Sequence, residues 1–470
     1  MNFEFMRCTP ESQGISSALL ADVLKSLDQL EYMKSIVILR HGKLICEAEW
    51  APYEKDIPYS LWSLSKSFTS CAIGSAQAEK RLSIHDRLLD FFPEYRSCVT
   101  DERMFKVTLQ DLLTMRSGHD QCAFAFANAD SAGDWVRGYL SSPLVHEPGT
   151  HFAYNSLGTY MLSAVLRRVT GLNVREYLKP RLFEPLGIEP GAWDQCPGGT
   201  DLGGFGFHLK TMDIAKFAQL VLDKGVWQGV QLLPADYLEE AQQPHADNSM
   251  NDHPDWKCGY GYQFWRSRHG SRGDGACGQY AIMLPEKDMA IAINSSMSDM
   301  GRVLELFWEK LLPGAGEEAL PEDNAAFAEL EKVVSILAIP VLPEGKKSAI
   351  KSCTLEFFNN VIGIKKGKID ISADNCVLSF ETPRGVEELR AGFGKFEKST
   401  LQLQERSPQI LAACASWKEE NLLEISVLHL NATFRDTWHL EFKGDKVQFN
   451  WRTQCSLFRP EMPPLLAKII

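Results

Sequence analysis

Strand-like sequence occurs at two places far apart in the first two-thirds of this chain. Residues 35–41 and 44–50 flank the turn His41-Gly42-Lys43, and residues 275–284 and 289–294 flank Pro285-Glu286-Lys287-Asp288. Each pair reads as antiparallel strands joined by a tight turn. The intervening sequence, from about 80 to 255, is mostly helical and broken by Gly and Pro. Its helices include 107–118, capped by Thr108 and stopped by Gly118, 157–170 ending at Gly171, and 213–224 ending at Gly225. An amphipathic helix at 16–28, with Leu20, Val23, Leu24 and Leu27 on one face, precedes the first strands, and a helix at 301–312 follows the last. Strands from opposite ends of such a stretch can bury their apolar faces only by meeting in one antiparallel sheet. The expected class is therefore α+β, an α/β sandwich whose sheet is interrupted by a helical insert.

Beyond residue 312 the character changes. Residues 313–323 have linker composition, and a helix is expected over 324–337. Short β-rich runs at 369–372, 376–382, 422–430 and 447–451 then alternate with turns. The expected organisation is 1–312 as one domain, 313–339 as linker and helix, and 340–470 as an all-β domain, a sandwich or small barrel. A length of 470 residues suits two or three domains.

Composition removes several classes of function. The formal charge is −12 and no block of Lys or Arg stands out, so nucleic acid is not an expected partner. Glu4 and Arg7 interrupt any apolar leader, and no run of 18 apolar residues occurs, so neither secretion nor a membrane partner is expected and the address reads as cytoplasmic. Twelve cysteines lack any C-x-x-C pairing and eleven histidines lack H-E-x-x-H spacing. No metal and no cofactor are expected.

The stretch that carries chemistry is residues 59–70, containing Ser63-x-x-Lys66. It opens a helix whose Leu64, Phe68, Ala72 and Ala76 form an apolar stripe. Three residues apart, Ser63 and Lys66 share one side of that helix. A serine hydroxyl needs a neighbouring base to become a nucleophile, and a lysine can serve if burial lowers its pKa. Average residue usage gives roughly one or two S-x-x-K matches by chance in a chain of this length. A second does occur, Ser348-Ala349-Ile350-Lys351, but it precedes strand-like sequence and reads as surface. G-x-S-x-G is absent, and Gly273-Asp274-Gly275-Ala276-Cys277-Gly278 leads into a strand rather than the helix a dinucleotide site requires.

Around Ser63 the order of motifs resembles the serine β-lactamase-like superfamily, in its class C β-lactamase, family VIII esterase and penicillin-binding-protein-like branch. Trp62 to Ser70 is similar to the nucleophile helix, Val107 to Gly118 to the segment after it, and Glu147 to Ser156 to the tyrosine motif. Gly275-Ala276-Cys277-Gly278-Gln279, followed by a strand and Pro285-Glu286-Lys287, resembles the third motif. The resemblance covers residues 10 to about 312. It implies Ser63 as acylated nucleophile, Lys66 and Tyr154 as a proton-transfer pair, and the amides of Ser63 and Ala276, beside Gly275, as the oxyanion hole. A phenol beside an ammonium is expected to be stabilised as phenolate.

Two positions depart from the family. The tyrosine motif is usually Y-x-N, but here it is Tyr154-Asn155-Ser156. The third motif usually opens K-T-G, but Arg272-Gly273-Asp274-Gly275 stands there, and Asp274 would repel a substrate carboxylate. Arg266, Arg268 and Arg272 are the nearby cations. Asn155, Ser156 and Asp274 are the expected substrate contacts. The expected function is a serine hydrolase taking a small-molecule ester or amide through an acyl-enzyme. Its competitors are β-lactamase, penicillin-binding or D,D-peptidase activity, and a non-catalytic binding protein on the same scaffold. Nothing in the sequence reads out oligomeric state.

Overall fold

The computed structural model describes residues 3–30, 32–403, 408–455 and 461–470. Its first domain is built on a six-stranded antiparallel sheet. Met33–Arg40 lies between Lys43–Glu49 and Met289–Ser295, which is followed outward by Gln279–Leu284, Ser271–Gly275 and Trp265–Arg266. The N-terminal hairpin and the late strands thus pair directly, with Ile36 opposite Ile293 and Ile38 opposite Ile291. The third motif differs from a plain strand: Gly275 ends one strand, and after a tight turn Gln279 begins its neighbour.

Both faces of the sheet are covered, so its strands are apolar throughout instead of alternating with polar residues. Ile36, Ile38, Ile291 and Ile293 point to a core shared with the helix Ser17–Asp28, the C-terminal helical turns Gly301–Leu311 and the helix Asn324–Ile336. The last of these follows the linker-like sequence, yet Leu330 and Val333 join that core, so it is a packed layer of the domain. Val37, Leu39, Ala281, Ala290 and Ala292 point the other way. Alanines on that face let the helices Ser65–Ala78 and Thr211–Leu222 approach closely. Thr211 ties the second to the sheet, donating or accepting with the Ser35 hydroxyl and accepting from Asn294 at 3.1 Å.

Sequence between Ala78 and Trp265 supplies no strand to this sheet. It folds over the helix Ser65–Ala78, and the aromatic cluster of Phe68, Phe207 and Phe217 joins the layers: Phe68 stacks on Phe217 at 4.0 Å between ring centroids.

The C-terminal strands form a barrel, not a sandwich. Antiparallel neighbours run from Gly385–Phe393 round to Gln409–Glu419, and a parallel pairing of Ala391 with Ala413 closes the ring. Phe357, Phe380, Trp438 and Phe449 fill its interior. Ala412, Leu428 and Leu430 on its outside join the core of the first domain. Among the described residues no helix is long and apolar enough to cross a membrane.

Phe68 is fully buried where three layers meet. Phe68→Ala is expected to destabilise the first domain by about 3–5 kcal/mol, read as a lower denaturation midpoint with the slope unchanged.

Candidate active site

Strand residues Tyr59–Ser60 pair with His208–Leu209, and Leu61 donates its N–H to Phe207 O at 2.8 Å, which fixes the approach to Ser63. Trp62–Leu64 forms a 3-10 turn running into the helix Ser65–Ala78. Ser63 therefore sits just before the α-helix proper, with Lys66 one turn on. Lys66 Nζ donates to Ser63 Oγ at 3.0 Å, Ser156 Oγ at 2.9 Å and Gly204 O at 2.7 Å. The side chain is buried, and every one of these partners is uncharged. Burial pulls its pKa down to about 7, opposed only in part by Cys122 and Asp274. An amine poised near neutrality stands 3.0 Å from a serine hydroxyl.

Tyr154 completes the cluster. Its ring stacks on Trp265 at 5.6 Å and lies 4.8 Å from Lys66 Nζ. The expected phenolate is not what this environment favours. Burial raises the phenol above its ordinary pKa, and the hydrogen bond with Ser63 offsets only part of the rise. Desolvation is the largest cause, and the nearby Asp274 and Cys122 push the same way. These directions make Lys66 the readier proton acceptor and Tyr154 the readier donor, with their titrations linked.

Ser156 and Asn155 stand at the start of the helix that follows Tyr154. Ser156 opens the helix Ser156–Thr170 with its hydroxyl on Lys66. Asn155 is that helix's N-cap, its Oδ1 accepting from Leu157 N at 3.1 Å and Gly158 N at 3.3 Å. It is 1% exposed, and its Nδ2 has no hydrogen-bond partner among the described residues.

Gly275 comes close to Leu61. A Cβ there would lie 2.1 Å from Leu61 O, so no larger residue lets the third motif meet the nucleophile turn. Ala276 and Cys277 follow in the turn, which is braced by Gln279 Nε2 on Ala276 O at 3.1 Å and Ser295 Oγ on Cys277 O at 2.7 Å. Asp274 does not present a bare charge. Arg272 is fully buried and donates to Asp274 at 2.9 Å, while burial pushes the Asp274 acid up to about 6. Arg268 is likewise taken, paired with buried Asp255 at 2.9 Å. Arg266 donates to Gln242 O and lines a separate cleft with His269 and Trp308. Ser348 lies on no helix and donates to Glu420 O.

Gly204 and Trp265 were absent from the residues the motifs pointed to. Leu202-Gly203-Gly204-Phe205-Gly206 carried a usable signal, glycines where a backbone carbonyl approaches a side chain. Trp265 carried none.

The beta-lactamase family profile matches residues 31–306, more than half of the chain. The chain belongs to the beta-lactamase family. Among curated relatives, it is 25% identical over 320 residues to 6-aminohexanoate-dimer hydrolase of Paenarthrobacter ureafaciens, covering 62% of this chain and 80% of that one. It is 24% identical over 218 residues to a beta-lactamase of Escherichia coli K12, covering 41% and 56%. Among solved structures, the octameric penicillin-binding protein homologue from Pyrococcus abyssi aligns with TM-score 0.50 and 19% identity, covering 96% of this chain and 99% of that chain. That likeness in fold takes in the barrel as well. For this family member the comparisons support a hydrolase of the serine β-lactamase fold.

With Lys66 as base, the rate of an acyl-transfer reaction should rise with pH as the ammonium loses its proton, with an apparent pKa near 7. A kcat/KM profile from pH 5.5 to 9 checks this, and a profile flat through neutrality would remove Lys66 as the base.

Proposed function

We propose that this protein is a serine hydrolase that cleaves an ester or amide through an acyl-enzyme on Ser63. The observation that carries the reading is the buried, carboxylate-free Lys66 amine held 3.0 Å from Ser63 Oγ. In the proposed sequence, Ser63 Oγ gives its proton to neutral Lys66 as the oxygen attacks the carbonyl carbon. The resulting oxyanion takes hydrogen bonds from the amides of Ser63 and Ala276, a type of contact that supplies about 3–4 kcal/mol for each donor. Collapse expels the alcohol or amine, which receives a proton from Tyr154, and Lys66 reprotonates the phenol. Water then attacks the acyl carbon by the same route in reverse, releasing the acid and restoring Ser63.

Within that class we favour carboxylesterase-like or small-amide substrates over β-lactams and cell-wall peptides. Support comes from Arg272, whose charge is satisfied by Asp274, and Arg268, satisfied by Asp255. Neither is left for a substrate carboxylate. The relative named 6-aminohexanoate-dimer hydrolase fits the same preference. A cytoplasmic address belongs to the proposal too, and suits twelve cysteines among which there is no disulfide.

Intact-mass spectrometry after exposure to a fluorophosphonate, and separately to a penicillin, tests the reading. The expected result is one adduct from the fluorophosphonate only, absent in Ser63→Ala. A stable penicillin adduct would favour the penicillin-binding alternative, and no adduct from either would leave a ligand-binding protein. Ser63→Ala and Lys66→Ala should each lower turnover of an activated ester by about three orders of magnitude or more.

A further inference from the structure

Residues 431–434 of the barrel, between the strands Leu422–His429 and Arg435–Lys443, lie against the segment that delivers Ser63. Three of the four contact that segment, and Ala432 contacts the neighbouring sheet strand. Asn431 O accepts from Ser60 N at 3.0 Å, and Ala432 O accepts from the buried Lys34 ammonium. Thr433 Oγ1 accepts from Trp62 Nε1 at 2.7 Å, and the Phe434 ring meets Trp62 edge-on at 6.1 Å. Beside Thr433, which also hydrogen-bonds with Cys277, Cys277 Sγ donates to Cys455 O at 3.6 Å and Cys455 Sγ to Ser296 O at 3.1 Å.

Trp62 and Cys277 are also two of the non-glycine residues with left-handed backbone, at φ of 48° and 62°. Bulky side chains hold that conformation only when their surroundings over-determine it. Trp62 directly precedes Ser63, and Cys277 directly follows Ala276. The Ser63 N–H belongs to the peptide plane that begins at Trp62, so relaxation of Trp62 turns that amide away from its direction.

We infer that the barrel is a positioning element for the oxyanion hole, with Thr433 holding Trp62 and through it the Ser63 amide. The inference rests on the acyl-enzyme reading above. Thr433 is 1% exposed, so its hydroxyl meets the indole N–H out of competition with water. Thr433 thereby acts on the transition state through Trp62 and the Ser63 amide.

Thr433→Val keeps the shape of the side chain and removes the acceptor. With p-nitrophenyl butyrate as probe, kcat should fall about 10- to 100-fold, the effect of a displacement on the order of 1 Å, while KM changes little. Fluorophosphonate labelling should slow in parallel, and Thr433→Ser should restore both. Trp62→Phe removes the donor from the other side, should give the same loss, and carries the test if Thr433→Val does not fold. Combined with Thr433→Val it should add little further loss. Wild-type rates in a folded Thr433→Val protein, or a loss that Thr433→Ser does not repair, overturn the inference and leave the acyl-enzyme reading standing. A wild-type protein that neither labels nor turns over the ester overturns both.

Discussion

An amine buried without a carboxylate is the constraint on which the candidate site depends. Moving an ammonium out of water is expensive, and a group so placed escapes the penalty by giving up its proton. Lys66 hydrogen-bonds only to hydroxyls and a backbone carbonyl, and the more distant Asp274 offsets only part of the cost of its burial. The polar residues beside it on the same helix keep that condition. Ser67 Oγ donates to Gln263 O at 2.9 Å, Thr69 Oγ1 to Gly203 O at 2.9 Å and Ser70 Oγ to Tyr262 O at 2.7 Å. Their hydroxyls are turned to loop carbonyls, binding the helical insert to the nucleophile helix while adding no charge near Lys66. Lys34 repeats the chemistry at the domain joint: it too is buried with its pKa drawn down to about 7, its ammonium on Ala432 O and above the Tyr53 and Tyr59 rings.

Close packing of helix on sheet brings the third motif to the nucleophile. A Cβ at Gly273 would lie 2.3 Å from Leu64 Cδ1 and 2.8 Å from Ser67 Oγ. The strand therefore runs directly under the first turn of the nucleophile helix, and Gly273 and Gly275 are needed for contact distance rather than for flexibility. The same closeness excludes a long cation from the start of the third motif. Arg272 instead folds back between the rings of Trp256 and Trp265, 4.5 and 5.8 Å from their centroids, where Asp274 neutralises it. Replacement of K-T-G is thus a change in electrostatics at that wall as well as in sequence.

Local signals were legible wherever a residue type had one physical use. Thr108 caps a helix as the sequence suggests, and Gly171 ends one at φ 77°. The isoleucines of residues 36–38 and 291–293 are strand sequence in any context. Pairing between them, across some 250 residues, followed only from the order of elements and from the family resemblance. Asn155 has a use the motif did not show, because its position before a helix lets its Oδ1 cap that helix. The phenolate expectation failed for a different reason: the sequence places Tyr154 near Lys66 but carries no measure of how deeply both are buried. Barrel closure was equally hidden, because it depends on the parallel pairing of Ala391 with Ala413, which no periodicity encodes.

Strained backbone gathers at this site. Trp62, Met115, Gln263 and Cys277 all have positive φ, and each is held by contacts that relaxation would break. Met115 O accepts from Ala153 N at 2.9 Å and its sulfur from Asn155 N at 3.3 Å, which sets the loop carrying Tyr154. Gln263 Nε2 donates to Leu112 O and Leu113 O, and its Oε1 accepts from Thr159. Such a residue costs of order 1–3 kcal/mol in backbone conformation. Four of them within one cluster must be offset by the packing of the insert, the sheet and the barrel together. Groups fixed at such expense do not reorganise when charge develops, which is the condition under which aligned amides stabilise a transition state most. The insert holds Met115 and therefore the tyrosine, the sheet edge and insert hold Gln263, and the barrel holds Trp62 and Cys277. On this reading the large distance in sequence between the parts of the chain is the means by which the site is made rigid.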